Sequence, residues 1–223
     1  MVTPALVLMT DFGLKDGAVS AMKGVAYETA PNLLVSDLTH EVPPYNIWEA
    51  SFRLVQTYKY WPKGTVFVTV IDPGVGSERH SIVMRSKSGH YFVGPDNGLY
   101  TLVADQDGVD EVRIIDESKQ RLKGSADSYT FHGRDLYVYV GARLASGQLK
   151  FEDSGESAGQ KLTKIPYQKA VAEKGELRVP TGKPLLYFNS LLNLSLALNQ
   201  GDFAKANKIG SGPTWTLAIS APK

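Results

Sequence analysis

Three side chains in this sequence have the types needed to prepare a water molecule for attack: Asp72, Arg79 and His132. Asp72 and Arg79 belong to Ile71-Asp72-Pro73-Gly74-Val75-Gly76-Ser77-Glu78-Arg79, and His132 belongs to Thr130-Phe131-His132-Gly133-Arg134-Asp135. Each lies in a glycine-punctuated loop that follows a predicted strand or opens a predicted helix, so distant segments can converge on one site. A histidine accepts a proton near neutral pH, an arginine favours a nearby anion, and a carboxylate orients both. Such a set activates water without a metal. Each residue also has a plainer reading. Asp-Pro-Gly is ordinary turn chemistry, an exposed Asp72–Arg79 pair would be worth ~0–1 kcal/mol, and His132 reads equally as a core histidine with a backbone partner. His132 precedes a predicted helix, whose positive end favours the neutral imidazole that a base requires.

Asp11, in Thr10-Asp11-Phe12-Gly13, follows a strand and precedes a helix. Its carboxylate suits the two hydroxyls of a ribose, as acidic residues do in nucleotide folds. Taken alone it reads better as a helix cap, a role for which Asp16 is the second candidate. His40, His80 and His90 show no ligand spacing and read as structural or exposed. Asp11, Asp72, Asp96, Asn97 and His132 together admit a different class, a metal-dependent phosphoesterase, because carboxylates and histidine hold hard divalent ions.

The elements that position these residues are legible from hydrophobic patterning. Residues 6–9 form a short apolar run, and Val19, Met22, Val25 and Ala26 follow at helical spacing. Residues 33–35 lead into the loop 39–44, then Ile47, Ala50, Phe52, Leu54 and Val55 suit a helix closed by Trp61-Pro62-Lys63-Gly64. Residues 65–71 are the strongest strand, β-branched and stopped by Asp72-Pro73-Gly74. A nearly continuous apolar strand is buried on both faces, and alternation with helices predicts an α/β sheet whose crevice lies outside the carboxyl ends of the strands. Further strands are expected at 82–85 and 91–93, and a helix over 134–144. The polar stretch 151–164 reads as a linker. It divides an N-terminal α/β domain, 1–164, from a smaller C-terminal β domain, 165–223, with strands expected at 184–188, 191–198 and 215–219.

The 223 residues carry 24 Lys and Arg against 23 Asp and Glu, a net charge of +1 with no long run of either sign. That balance offers no footprint for nucleic acid or a membrane surface, and points to a small ligand. Zero cysteines exclude disulfides, thiolate metal sites and cysteine nucleophiles. The apolar residues 5–9 are too few for a signal or a membrane span, and the expected location is cytoplasmic.

These motifs resemble the S-adenosyl-L-methionine hydroxide adenosyltransferases, relatives of the fluorinase and chlorinase. The resemblance rests on Thr10-Asp11-Phe12-Gly13 with Asp16, Met22-Lys23-Gly24, Asp37-Leu38-Thr39-His40, Pro62-Lys63-Gly64-Thr65, the Asp72 and His132 segments, and Gly94-Pro95-Asp96-Asn97-Gly98, in family order. It implies a homotrimer that hydrolyses S-adenosyl-L-methionine to adenosine and L-methionine, without a further cofactor. It implies Asp72, Arg79 and His132 as the triad that orients and deprotonates water. It implies Asp11 and Asp16 at the substrate, Tyr45, Thr130 and Phe131 around the nucleoside, and Ser190 near the methionine carboxylate. The halogenating relatives differ at the triad positions and carry an inserted loop after Arg79, which favours hydroxide over halide. Between Lys174 and Pro184 the Gly-Asn stretch usual in the family is not visible, and the C-terminal domain reads as shortened. The alternatives are a nucleoside-binding module without turnover and a halide-dependent adenosyltransferase.

Overall fold

The computed structural model describes residues 5–167, 180–190, 193–210 and 212–213. Strand β1 (Ala5–Thr10) is buried along its whole length, as is β3 (Val66–Val70). Runs of Leu, Val, Met and Phe with no polar face allow no alternative, because either face would otherwise meet water. Between them lie helix α1 (Ala18–Thr29), strand β2 (Leu34–Thr39) and helix α2 (Ile47–Thr57), the last capped by Asn46, whose side chain accepts from the Glu49 amide at 3.0 Å. Strands β4 (Ser81–Ser86) and β5 (Tyr91–Pro95) follow, then α3 (Thr101–Asp107), β6 (Val109–Ile115) and the single turn α4 (Glu117–Gln120).

A seven-stranded sheet runs in the order β2-β1-β3-β5-β4-β6-β7, where β7 is Gly155–Gly159. Neighbours β2, β1, β3 and β5 are parallel, while β4, β6 and β7 are added antiparallel. The chain is thus an α/β protein with a mixed sheet. On one face Leu6, Leu8, Val66 and Val68 pack against Met22 and Ala26 of α1 and Val138 and Ala142 of α5 (Val138–Ala145). On the other, Val7, Met9 and Phe67 pack against Ala50 and Leu54 of α2 and Val103 of α3. The approach of α5 is close enough that Gly141 is required. A Cβ there would stand 2.4 Å from Val68 Cγ2 and 3.1 Å from Leu6 Cδ1.

Three expectations differ from what is observed. The segment 151–164 is no linker, because β7 within it pairs with β6 and extends the sheet. Glycine and serine gave it a polar composition, but an edge strand exposed on one side tolerates that. The helix expected over 134–144 opens with a π-helical turn, Gly133–Tyr137, before α5. Elements α3, β6 and α4 were not anticipated.

By internal contacts the chain divides into Met1–Ile165 and Pro166–Lys223. In the second unit β8 (Pro184–Phe188) pairs antiparallel with β9 (Leu194–Leu198), followed by α6 (Phe203–Asn207), whose N-cap Asp202 accepts from the Lys205 amide. The strand expected at 215–219 lies outside the described residues. So does most of the stretch on which the shortened C-terminal domain rested. Among the described residues no helix is long and apolar enough to cross a membrane.

Candidate functional site

Strand direction gathers the chemistry at one edge of the sheet. The parallel strands β1, β2 and β3 end together, and past their ends come Asp11, the loop holding Tyr45, and Asp72. The antiparallel strand β4 starts at that edge, with Ser81 opposite Pro95 at the end of β5. Strand β6 then finishes there, with Ile114 opposite Ile82, so Glu117 emerges at the same edge. A crevice outside the carboxyl ends, beside the strand where the order reverses, is where α/β sheets bind ligands.

A cavity of about 320 Å³ occupies this position. Its lining includes Asp11, Tyr45, Asp72, Thr130, Phe131 and His132. Six expected residues are therefore brought together. Arg79 lies behind the wall: its Nε donates to both Asp72 carboxylate oxygens at 3.1 Å and its Nη2 to Oδ2 at 2.5 Å. Only 11% of the Arg79 side chain and 4% of the Asp72 side chain are exposed, so the surface-pair reading does not apply. Burial disfavours the Arg79 charge, but the Asp72 hydrogen bonds together with the electrostatic pull of Tyr137, Asp72 and Glu117 outweigh it and hold the guanidinium above its ordinary value. Asp16 is placed elsewhere. It is not among the lining residues; it stands one residue ahead of Gly17, the N-cap of α1, and its Oδ1 accepts from the Ala18 amide at 2.9 Å. Ser190 belongs to the second unit and is exposed.

The Asp11 side of the cavity is built from backbone as much as side chains. Asp11 Oδ2 accepts from the Tyr45 amide at 2.8 Å. Tyr45 has φ 64°, a left-handed conformation rare outside glycine, asparagine and aspartate, and the residue is 70% exposed. Local strain of this sort persists where surrounding structure fixes it. Phe131 meets Phe12 edge to face at 5.7 Å, while the Arg134 guanidinium lies 4.8 Å from the Phe131 ring. Buried His40 lies with Nδ1 2.8 Å from Thr10 Oγ1 and Nε2 3.0 Å from Asp37 Oδ1, tying the ends of β1 and β2. His90 is likewise structural, with Nε2 3.0 Å from the Trp61 carbonyl, and His80 is exposed.

His132 is buried at the N-terminus of the π-helical turn, as its position before a helix predicts. Its nearest electrostatic partner is a carboxylate. His132 Nε2 lies 3.2 Å from Glu117 Oε2, and Nδ1 has no partner among the described residues. Glu117 was missed by sequence reasoning because β6 and α4 were missed. A signal existed in Val109-Asp110-Glu111-Val112-Arg113-Ile114-Ile115, where β-branched residues are interspersed with charges, ending at Asp116, a helix N-cap. The hydrogen bond from His132 is the chief reason the Glu117 carboxyl falls to about 2.

The metal-dependent alternative loses two of its ligands to structural bonds. Asp96 accepts from the Thr163 amide at 2.9 Å and hydroxyl at 3.1 Å, and Asn97 Nδ2 donates to the Ile71 carbonyl at 2.9 Å. Among the described residues no three His, Asp or Glu side chains gather as a metal-binding group.

Fold and cavity together define an α/β protein with an acidic, aromatic crevice at the strand ends. The chain belongs to the SAM hydroxide adenosyltransferase family. The N-terminal domain of that family matches residues 6–155 and the C-terminal domain residues 163–216. A protein of Methanocaldococcus jannaschii named (R)-S-adenosyl-L-methionine hydrolase is 46% identical over 143 residues, 62% of this chain and 52% of that protein. The chain thus matches about half the length of that relative. A Thermus thermophilus protein of the same name is 29% identical over 92% of this chain and 95% of its own length. A fluorinase of Actinoplanes is 26% identical over 65% of this chain and 55% of that protein. An uncharacterized conserved protein from Thermotoga maritima has the same fold, with a TM-score of 0.83 and 30% identity over 93% of this chain and 97% of that one.

Proposed function

We propose that this protein hydrolyses S-adenosyl-L-methionine to adenosine and L-methionine. The observation that carries the reading is the lining of one cavity by Asp11, Asp72, Phe131 and His132, in a chain whose relatives bear the name of that hydrolase. Water attacks the ribose C5′ carbon in line. The C5′–O bond forms as the C5′–S bond breaks, and the electron pair stays on sulfur. Methionine leaves as a neutral thioether, so no general acid is needed, and the demands reduce to holding the water and removing its proton. His132 takes the proton. Asp72, fixed by Arg79, orients the water, and Asp11 holds the ribose hydroxyls between Tyr45, Thr130 and Phe131. Ser190 contacts the methionine carboxylate, Asp16 is a further substrate-side residue, and no cofactor takes part. The acting form is a homotrimer, which sedimentation velocity tests directly, and it works in the cytoplasm.

The test is incubation of purified protein with S-adenosyl-L-methionine in ¹⁸O-labelled water, free of added metal and halide. Adenosine carrying ¹⁸O at the 5′ position, released with methionine and lost in His132→Ala, is the expected result. Product that appears only with added halide would overturn the choice of nucleophile, and tight adenosine binding without methionine release would make the chain a binding module.

A further inference from the structure

Behind the cavity wall a hydrogen-bonded chain joins Asp72 to His132, and every hydrogen in it can be assigned. Asp72 accepts from Arg79, and Arg79 Nη1 donates to Ser81 Oγ at 3.0 Å. Ser81 Oγ donates to Glu117 Oε1 at 2.7 Å, and Glu117 Oε2 faces His132 Nε2 at 3.2 Å. Ser81 spends its one hydrogen on Glu117, so the buried Tyr137 hydroxyl, 3.1 Å away, donates to it. An ionised carboxylate can only accept, and the hydrogen between Glu117 and His132 therefore sits on Nε2. The neutral ring then has a bare lone pair on Nδ1. That atom is buried and unpartnered among the described residues, in a ring that lines the cavity. A buried acceptor without a donor is costly, which favours a donor supplied from the cavity.

We propose that Glu117 is a positioning residue. By accepting the Nε2 hydrogen of His132 it holds the tautomer whose Nδ1 removes the proton from the attacking water. In the step, the water proton moves to Nδ1 as oxygen bonds C5′, and the resulting imidazolium remains paired with Glu117. Ser81 and Arg79 fix the carboxylate rather than touching the reacting atoms. Arg121, with Nη1 3.8 Å from Glu117 Oε2, and the Tyr129 and Tyr137 rings complete the surroundings of the imidazole. The assignment of Nδ1 as base rests on the hydrolase reading, whereas the tautomer does not.

The test pairs two readouts on the full chain. In protein labelled with ¹⁵N-histidine at neutral pH, His132 should show a protonated Nε2 and an unprotonated Nδ1 in the wild type, and mixed tautomers in Glu117→Ala. With S-adenosyl-L-methionine, Glu117→Gln should lower kcat at least about 10-fold with KM within about 2-fold, as misplaced tautomers do in other histidine bases. Glu117→Asp should recover part of the loss. A wild-type Nδ1 that carries the proton, or a Glu117→Gln enzyme with unchanged kcat, overturns the proposal. If the wild type turns over no substrate, the hydrolase reading fails while the spectrum still decides the tautomer. If Glu117→Ala does not fold, the wild-type spectrum and the Glu117→Gln kinetics decide the question without it.

Discussion

His132 Nε2 stands 3.2 Å from Glu117 Oε2, and the other oxygen of that carboxyl group receives Ser81 Oγ at 2.7 Å. One side chain on a four-residue helix thus connects the loop after β6, the start of β4 and the turn before α5. Three segments remote in sequence are held to a common geometry by a group that carries no cavity surface of its own.

That coupling has a pH signature in stability. Folding lowers the Glu117 carboxyl from 4.5 to about 2, first through the His132 hydrogen bond. A carboxyl depressed on folding contributes stability above its unfolded value, and the contribution fades as pH falls through the folded one. The window is therefore pH 4.5 down to about 2. With the side chain 33% exposed, solvent screening reduces the worth to about 1 kcal/mol. Glu117→Gln should melt a few degrees below the wild type at pH 5, and the gap should narrow steadily as pH falls through the window, closing only toward its lower end at about 2. A gap of constant size would rule the ion pair out as its source.

The Asp72–Arg79 pair is expected to behave as one buried unit. Asp72→Ala leaves a guanidinium that is 11% exposed without its partner, at a cost of about 3 kcal/mol. Arg79→Met strands the carboxylate at a similar cost. Because neither charge is left alone in the double variant, its loss should fall at least about 1 kcal/mol short of the sum. Urea midpoints of the four proteins give the coupling directly, and simple additivity would mean that the two side chains do not depend on each other.

The parts of this architecture written most openly in the sequence are those where one requirement acts alone. Residues 65–71 read as a strand because burial on both faces leaves no room for polar residues. Asp72 and His132 were legible because glycine-rich turns follow or precede such elements. Strand β6 was hidden by its charges: Glu111 and Arg113 pair with each other at 2.8 Å, and Arg85 of β4 pairs with Asp110 and Glu111, so the strand satisfies its polar face locally. Segment 151–164 was misread because serine and glycine composition describes solvent exposure, not the backbone pairing of β7 with β6. Asp16 was placed at the substrate by its position in a motif, and position alone does not say whether a carboxylate faces a cavity or bonds a nearby amide, as Asp16 does with Ala18.

Gly141 tests how tightly the site-bearing turn is seated. Alanine is the better helix former by about 1 kcal/mol. Its Cβ, however, would lie 2.4 Å from Val68 Cγ2, and forced repacking of a filled core costs about 1–3 kcal/mol. Gly141→Ala should therefore lower the melting temperature by several degrees with an unchanged far-ultraviolet spectrum. A rise in melting temperature would show that α5 lies farther from β3 than the contact indicates.

Asp11 offers two routes to the same phenotype, and a pair of substitutions separates them. Its carboxylate lines the cavity, where it is read as the ribose ligand, and its Oδ2 also accepts from the Tyr45 amide at 2.8 Å. Asp11→Ala removes both functions and should weaken adenosine binding at least about 10-fold, equivalent to about 1.4 kcal/mol, with a smaller change in kcat. Asp11→Asn keeps one carbonyl oxygen to accept from Tyr45 but removes the charge and one acceptor. If the diol contact dominates, asparagine should bind adenosine nearly as poorly as alanine. If the main task is to hold Tyr45 at φ 64°, asparagine should recover most of the affinity, and Tyr45→Gly, which accepts that backbone conformation without strain, should partly suppress the alanine defect. Isothermal titration of the four variants distinguishes the cases, and an Asp11→Ala protein that binds adenosine like the wild type would remove Asp11 from the site altogether.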